Sequence, residues 1–336
     1  MAIKLCREMY GQARTLGITV SELLAQENPS EEANLDAFEF ALMKQDINLR
    51  KHTVERFYRT QEDIYLFPEF INRNVRIGLA GLTAIDLTLD DVVATETTID
   101  SGVYDTFKTV FDEKKIDFTR IAEGGMFPSV TISSAKNSIR LAKLGLKLNA
   151  SYEVLRRMKL PLFATHLQLI GQRIAKRNVA FAMYNVINGD GNDNAAPATA
   201  ATPLSYNKLL EFYLNMDRFS GTVFAAKKTE MSSILNLPEF QTPYIFKTAA
   251  TGEFATPFGL PLKRFNWTES ALGNNQITII SKSAALELVK ESGAELIETE
   301  KVIDKQLQDT VISNVIGFSR IFPEGAKVFT IGEGEE

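Results

Sequence analysis

Between Ser151 and Asn188 the sequence reads as one very long helix, and this segment constrains the fold more than any other. Phe163, Leu167, Ile170, Ile174 and Phe181 recur at helical spacing on one stripe, with Leu160, Met183 and Ile187 beside it. Ser151 can cap the start, Pro161 breaks or kinks the segment early, and NGDGNDN at 188–194 ends it. The ~25 residues after Pro161 would span about 38 Å at 1.5 Å per residue. A helix of that length acts as a spine to which the other elements attach.

The segments on either side differ in kind. Residues 1–60 read as helical: Ile3, Cys6, Met9, Tyr10, Ala13 and Leu16 share a face, and Gly17 is a plausible stop. Thr19 and Glu22 form a capping box for a second helix. Pro29 and Ser30 open a longer charged helix running toward Tyr58. IYLFPEFINRNVRIG, residues 64–78, predicts an extended segment turning at Pro68 into a short helix. Residues 82–150 are β-rich, with strands expected at Thr83–Ile99, Ile116–Ala122, Val130–Ser133 and Ile139–Leu148. Glu123-Gly124-Gly125 supplies a turn, and a change of parity between Leu141 and Leu144 predicts a bulge near Ala142. Together these describe a two- or three-stranded flap with a glycine tip.

After the spine comes AAPATAATPL, residues 195–204, a small-residue linker. The chain then alternates. A Ser205-capped helix at Tyr206–Leu214 precedes strand Thr222–Ala226, helix Glu230–Leu237, and strands Leu262–Trp267 and Gln276–Ser281. A helix is expected at Ser283–Ser292, stopped by Gly293, and residues 295–331 are strand-rich.

Charge is distributed unevenly. The formal net charge is −5, yet Lys136 to Arg177 holds ten cations against one acid, Glu153. Glu287 to Asp309 and the tail GEGEE are acidic. Such segregation suits either solvated faces or contact between copies, one copy's basic part against another's acidic part. No apolar run approaches the roughly 18 residues that span a bilayer. MAIKLCREMYGQ lacks a signal core, which predicts a chain made and kept in a cytoplasm. One cysteine, Cys6, permits no intrachain disulfide.

Motifs for chemistry are absent. His52 and His166 stand far apart, both expected in helices, and no second cysteine or HExxH supports a metal site. No phosphate-binding glycine motif and no nucleophile elbow occurs. Asp190, Asn192 and Asn194 resemble the start of a calcium loop, which then fails at Ala195 and Ala201, so NGDGNDN reads as a helix-ending turn. Adjacent acids such as Glu31-Glu32 and Asp90-Asp91 point different ways and make poor acid–base pairs. No catalytic residue, cofactor or metal is expected.

The order of elements resembles tailed-bacteriophage major capsid proteins of the Hong Kong 97 fold. LKLNASYEVLRRMKLPLFATHLQLIGQRIAKRNVAFAMYNVINGDG is similar to that family's passage from extended loop into spine helix, closed at Gly189, Asp190 and Gly191. FGLPLKRFNW, with Gly259 and Pro261, and VISNVIGFSRIFPEGAKVFTI resemble later strands. The likeness covers about residues 64–331. It implies an α+β capsid fold divided into an N-terminal helical arm (1–63), an N-terminal part of the capsid fold (64–115) and an extended loop (116–150). A peripheral domain with the spine helix (151–199), an axial domain (200–285), peripheral strands (286–318) and a return to the axial domain with the tail (319–336) follow. Pentamers and hexamers in an icosahedral shell around double-stranded DNA are implied, in the virion and, during assembly, the host cytoplasm. The resemblance leaves room for scaffolding, portal or decoration proteins and implies no membrane partner. Encapsulin-type compartments enclosing cargo enzymes are the alternative. Within this reading Lys143 and Lys147 are expected to meet the acidic 287–309 region of an adjacent copy. Arg173, Lys176 and Arg177 are candidates to face DNA, and residues 1–60 are expected to tie subunits together.

Overall fold

A computed structural model describes residues 8–32, 34–110, 131–216, 218–241, 257–265, 275–294, 296–302 and 306–332, with Cys6, Ile121, Glu123, Gly125 and Asp304. Four helices come first: α1 (Glu8–Leu16), α2 (Val20–Glu27), α3 (Ala37–Lys44) and α4 (Gln61–Ala80). Six strands follow, β1 (Val93–Ile99), β2 (Val103–Tyr104), β3 (Phe107–Val110), β4 (Thr131–Ser134), β5 (Ile139–Arg140) and β6 (Ala142–Ser151). Then come α5 (Tyr152–Arg157), α6 (Leu160–Asn188), α7 (Tyr206–Leu214), β7 (Val223–Ala226), α8 (Lys228–Leu235) and α9 (Pro238–Gln241). The last strands are β8 (Leu262–Arg264), β9 (Gln276–Ile280), β10 (Leu286–Glu291), β11 (Leu296–Val302), β12 (Leu307–Arg320) and β13 (Ala326–Thr330). The chain forms two compact units of three segments each. The first holds Met1–Leu82, Ala142–Lys176 and Glu291–Val315, and the second holds Thr83–Leu141, Arg177–Lys290 and Ile316–Glu336.

In the first unit α4 is central. Thr60 caps it by accepting the Asp63 N–H at 3.1 Å, and Glu62 and Asp63 suit the positive end of the helix dipole. It runs unbroken through Pro68, where the sequence predicted an extended segment. An interior proline costs about 3 kcal/mol. Burial of Phe67, Phe70 and Ile71 on the same helix offsets that, at roughly 1.5–3 kcal/mol each. Phe67 and Phe70 lie nearly parallel to Phe163 of α6, at 6.0 and 6.5 Å. Farther along, α4 and α6 touch backbone to backbone: a Cβ on Gly78 would stand 2.1 Å from the Gln168 carbonyl oxygen, and one on Gly171 2.2 Å from that of Val75.

Helices α1 to α3 belong to the same core. Met9, Ala13, Leu23, Leu24, Phe38 and Leu42 are buried with Leu66, Ile71 and Leu167. The expected arm is therefore folded onto its own chain, and α4 crosses the expected boundary at residue 63. Each short amphipathic helix has an apolar face to bury, and α4 with α6 provides the surface. The Thr19–Glu22 capping box forms as expected. The charged helix toward Tyr58 does not. Asp36 caps the shorter α3 by accepting the Glu39 N–H, and Asp46 turns the chain at φ 52°. A 3-10 turn then occupies Val54–Tyr58. His52 sits in the intervening turn, not in a helix, with Nδ1 accepting the Asn48 N–H at 3.0 Å.

A buried acid joins α2 to α4. Glu69 is 2% exposed, and its carboxylate accepts from the Ser21 hydroxyl at 2.5 Å and the Ser21 N–H at 3.2 Å. Burial pushes the Glu69 carboxyl above its usual range, against the pull of these bonds and of Arg73. A raised carboxyl favours the folded form when protonated. Its contribution is present below the ordinary glutamate range and lost as pH rises through the folded value. Wild-type stability is therefore expected to rise relative to Glu69→Gln as pH falls from 7 toward 5. Urea midpoints of both proteins across that range check this, and parallel curves would refute it.

The second unit holds a four-stranded sheet in the order β13-β9-β7-β8. β7 is parallel to β8 and antiparallel to β9, and β9 is antiparallel to β13. Phe224, Ala226, Ile277, Ile279 and Phe329 pack there against Leu209 and Phe212 of α7 and Ile234 of α8. Residues 195–204 are not a free linker. They run beside β13, bridged at Ala198–Val328 and Thr202–Ile331. The expected strand at Thr83–Ile99 shortens to β1. Thr83 binds Asp86 and Thr88 binds Asp91 through side chains, local bonds that compete with a ladder. The expected helix at Ser283–Ser292 is instead strand β10, paired antiparallel with the end of β12 from Leu286–Arg320 to Lys290–Ile316.

Helix α5 takes the Ser151 cap, which accepts the Val154 N–H at 3.3 Å. A break at Met158 and Lys159 separates it from the 29-residue α6, in which Pro161 sits harmlessly in the first turn. At 1.5 Å per residue α6 is about 43 Å long. The long helix α6 and the long strand β12 each give residues to both units.

Candidate assembly surfaces

The flap begins as a narrow ribbon. β2 pairs with β5 through Val103–Arg140 and Tyr104–Ile139, and β3 pairs with β4 from Phe107–Ser134 to Val110–Thr131. The expected strand Ile116–Ala122 apart from Ile121, the turn's central Gly124, and Val130 lie outside the described residues. Phe107 and Ile132 stand diagonally on one face of the ribbon, 61% and 70% exposed. A two-stranded ribbon is marginal in water, and an apolar face open on it seeks cover. The expected bulge near Ala142 is a break at Leu141, whose N–H donates to the Gly102 carbonyl at 3.0 Å.

Five cations were singled out by the sequence, and the structure separates them. Lys143 is exposed on β6. Lys147, two pleats along, is paired within its own chain: its Nζ lies 2.5 Å from Asp309 Oδ2 on β12, to which β6 is hydrogen-bonded. Asp309 belongs to the acidic 287–309 stretch, and this pair lies within one copy. The Lys147 side chain is 54% exposed while that of Asp309 is only 11% exposed, so the acid needs the cation more than the cation needs the acid. Arg173 and Arg177 are exposed on α6, Lys176 is half-buried between them, and His166 is exposed two turns earlier.

The acidic region is similarly divided. Glu287 accepts from the Thr97 hydroxyl at 2.5 Å and the Tyr104 hydroxyl at 3.1 Å. Burial and the Glu287 charge push the Tyr104 phenol up to about 12. Lys290 pairs with Glu96 at 2.5 Å. Glu298 and Glu300, alternate residues of β11, face outward. Sequence reasoning could not find these engagements, because each depends on strand register between distant segments.

The charge arrangement gives a separable test. Lys147→Glu sets two acids together in one subunit and should lower its stability by about 1–3 kcal/mol. Lys143→Glu should leave subunit unfolding unchanged and, if this exposed lysine meets a neighbouring copy, reduce the yield of assembled particles. A urea titration and particle counts by electron microscopy check the pair, and normal yield from Lys143→Glu would show that this lysine is merely solvated.

Among the described residues no group of three His, Cys, Asp or Glu side chains is placed to hold a metal ion. No helix among them is long and apolar enough to cross a membrane.

No protein-family model and no curated protein matches the sequence. Solved structures do match. The capsid of the native GTA particle is 12% identical, with 75% of this chain and 95% of that chain covered at a TM-score of 0.51. A chain of Microbacterium phage Oxtober96 is 11% identical, covering 76% and 97% at 0.51. The satellite phage P4 procapsid, which includes the size determination (Sid) protein, is 10% identical, covering 80% and 92% at 0.50. The likeness is one of fold.

Proposed function

We propose that this chain, which has the α+β capsid fold of the Hong Kong 97 type, is a major capsid protein that assembles as pentamers and hexamers into an icosahedral shell around double-stranded DNA. The observation that carries this reading is the ribbon. Phe107 and Ile132 present an apolar face that the subunit leaves open, and a neighbouring copy is the surface available to cover it. The role is structural. The virion is its place, with the host cytoplasm before that, and scaffolding, portal or decoration proteins would meet the finished shell. The helices of residues 1–60, packed on α4 and α6, would then brace the subunit and join it to its neighbours.

Sizing and electron microscopy of the purified full chain test the reading. Closed particles support it, and a small discrete oligomer at every salt and protein concentration sinks it. Particle contents separate the phage-type shell from the encapsulin-type alternative, as DNA in the first and enzyme in the second. Phosphate contacts are sequence-independent and salt-sensitive. Arg173→Ala with Arg177→Ala should therefore spare shell yield and lower only DNA retention, read as DNA per particle. Loss of shells from that pair would move these arginines to a subunit contact.

A further inference from the structure

The turn that ends α6 does more than stop a helix. Gly189 and Gly191 adopt φ of +79° and +95°, which brings Asp190, Asn192 and Asn194 around one point. Asn194 Oδ1 accepts the Asp190 N–H at 3.0 Å, and Asp190 Oδ1 accepts from Asn192 Nδ2 at 3.0 Å. The Asn192 side chain, so held, reaches the base of the ribbon. Its Oδ1 accepts the Asn137 N–H at 2.8 Å, while its Nδ2 donates to the Asn137 carbonyl at 3.0 Å and to Thr106 Oγ1 at 3.3 Å. Asn137 Nδ2 returns a bond to the Gly191 carbonyl at 2.8 Å. Thr106 immediately precedes β3, and Asn137 lies between β4 and β5. The turn therefore grips both strands of the ribbon at the step between the β2–β5 and β3–β4 pairs.

The other end of this network is anchored. Asp190 Oδ2 accepts the Arg320 N–H at 2.9 Å, where β12 ends. The Arg320 guanidinium is 2% exposed and donates to the carbonyls of Ala285 and Pro323 at 3.0 and 2.9 Å. Asp190 is an acid beside this buried cation, so the turn cannot shift without moving a charge away from its counter-charge.

We propose that the Gly189–Asn194 turn is a latch that fixes the angle at which the β3–β4 part of the ribbon projects, and that release of Asn192 lets the ribbon swing. The part concerning particle size rests on the shell reading; the part concerning the ribbon does not. With the latch closed, every subunit offers its ribbon at one angle, and particles close at one diameter. Thr106→Val is the gentler probe, because it keeps side-chain shape and removes one partner of Asn192; Asn192→Ala removes four bonds, three of them to the ribbon.

Hydrogen exchange is measured first on unassembled full-length subunits. Asn192→Ala should speed exchange of the Asn137 and Ala135 amides roughly tenfold or more, with β9 amides such as Thr278 unchanged, and Thr106→Val should give roughly threefold. Unchanged exchange at Asn137 and Ala135 in both variants overturns the latch. If Asn192→Ala does not fold, the Thr106→Val result decides. Particle diameters are then measured for the same variants. A broadened distribution from Asn192→Ala is expected; faster exchange with the wild-type distribution overturns the link to shell size. A wild-type chain that forms no particles refutes the shell reading, and the exchange result still decides the latch.

Discussion

Gly171→Val is expected to prevent the first unit from closing, and Gly171→Ala to lower its stability by about 3 kcal/mol or more. In an exposed helix interior, alanine gains about 1 kcal/mol over glycine. Here steric overlap reverses that sign. The new Cβ would lie 2.2 Å from the Val75 carbonyl oxygen and 2.9 Å from Gly78 Cα. Both are backbone atoms, so no side chain can rotate away. The two helices would have to separate along a crossing that also carries Phe163, Leu167 and Phe70. Overpacking of cores typically costs about 1–3 kcal/mol even where side chains can adjust. Domains are stable by only about 5–15 kcal/mol, so valine should leave little folded protein. Gly11→Ala in α1 is the matched control. Nothing lies within 4 Å of its added Cβ, and it should stabilise slightly. Urea midpoints of the three variants check the set. A Gly171→Ala protein as stable as wild type would show that α4 and α6 are not in backbone contact.

On the proposed shell reading, replacing residues 111–130 by a tight turn should abolish shells without unfolding subunits. Val110 and Thr131 are directly opposite in the β3–β4 register. Residues 111–130 can therefore be replaced by Asn-Gly, a two-residue turn suited to a right-twisted hairpin. Ending the replacement at residue 130 matters, because β6 is a strand of the first unit and its removal would expose Asp309. The expected product has wild-type unfolding behaviour, runs as monomers or capsomers, and shows no closed particles in micrographs. Shells of normal form from this variant would remove the ribbon from the assembly contact.

Local signals in the sequence proved readable where the chemistry is local. The Thr19–Glu22 box, the Ser205 cap of α7 and the bounds of β9 each depend on residues within a few positions. The spine helix followed from periodicity over many residues, and the α+β class from the resemblance carried by the order of elements. The failures share a cause. At Ser283–Ser292 the apolar residues Ala284, Ala285, Leu286, Leu288 and Val289 suit either period, and pairing with β12 decides for strand. At Pro68 a local rule favoured a break, and burial of Phe67 and Phe70 outweighed it. For the candidate site, a basic stretch and an acidic stretch were legible as types. That Lys147 meets Asp309 of the same chain was not, because β6 and β12 lie some 160 residues apart in sequence. Asn192 looked like part of a helix stop for the same reason: its partners Asn137 and Thr106 are 55 and 86 residues away.

The three-segment make-up of each unit governs when a subunit can exist. The first core includes Ile312 and the second includes Phe329. A ribosome must therefore pass β12 before the first core can close, and reach β13 before the second can. Contacts between segments so far apart in sequence also slow folding itself. Until then part of each core lacks its partners, and chaperone demand should be high during translation. The compensation is quality control by chain order. On the proposed shell reading, a truncated product lacking β12 or β13 would have no finished core to offer a growing lattice.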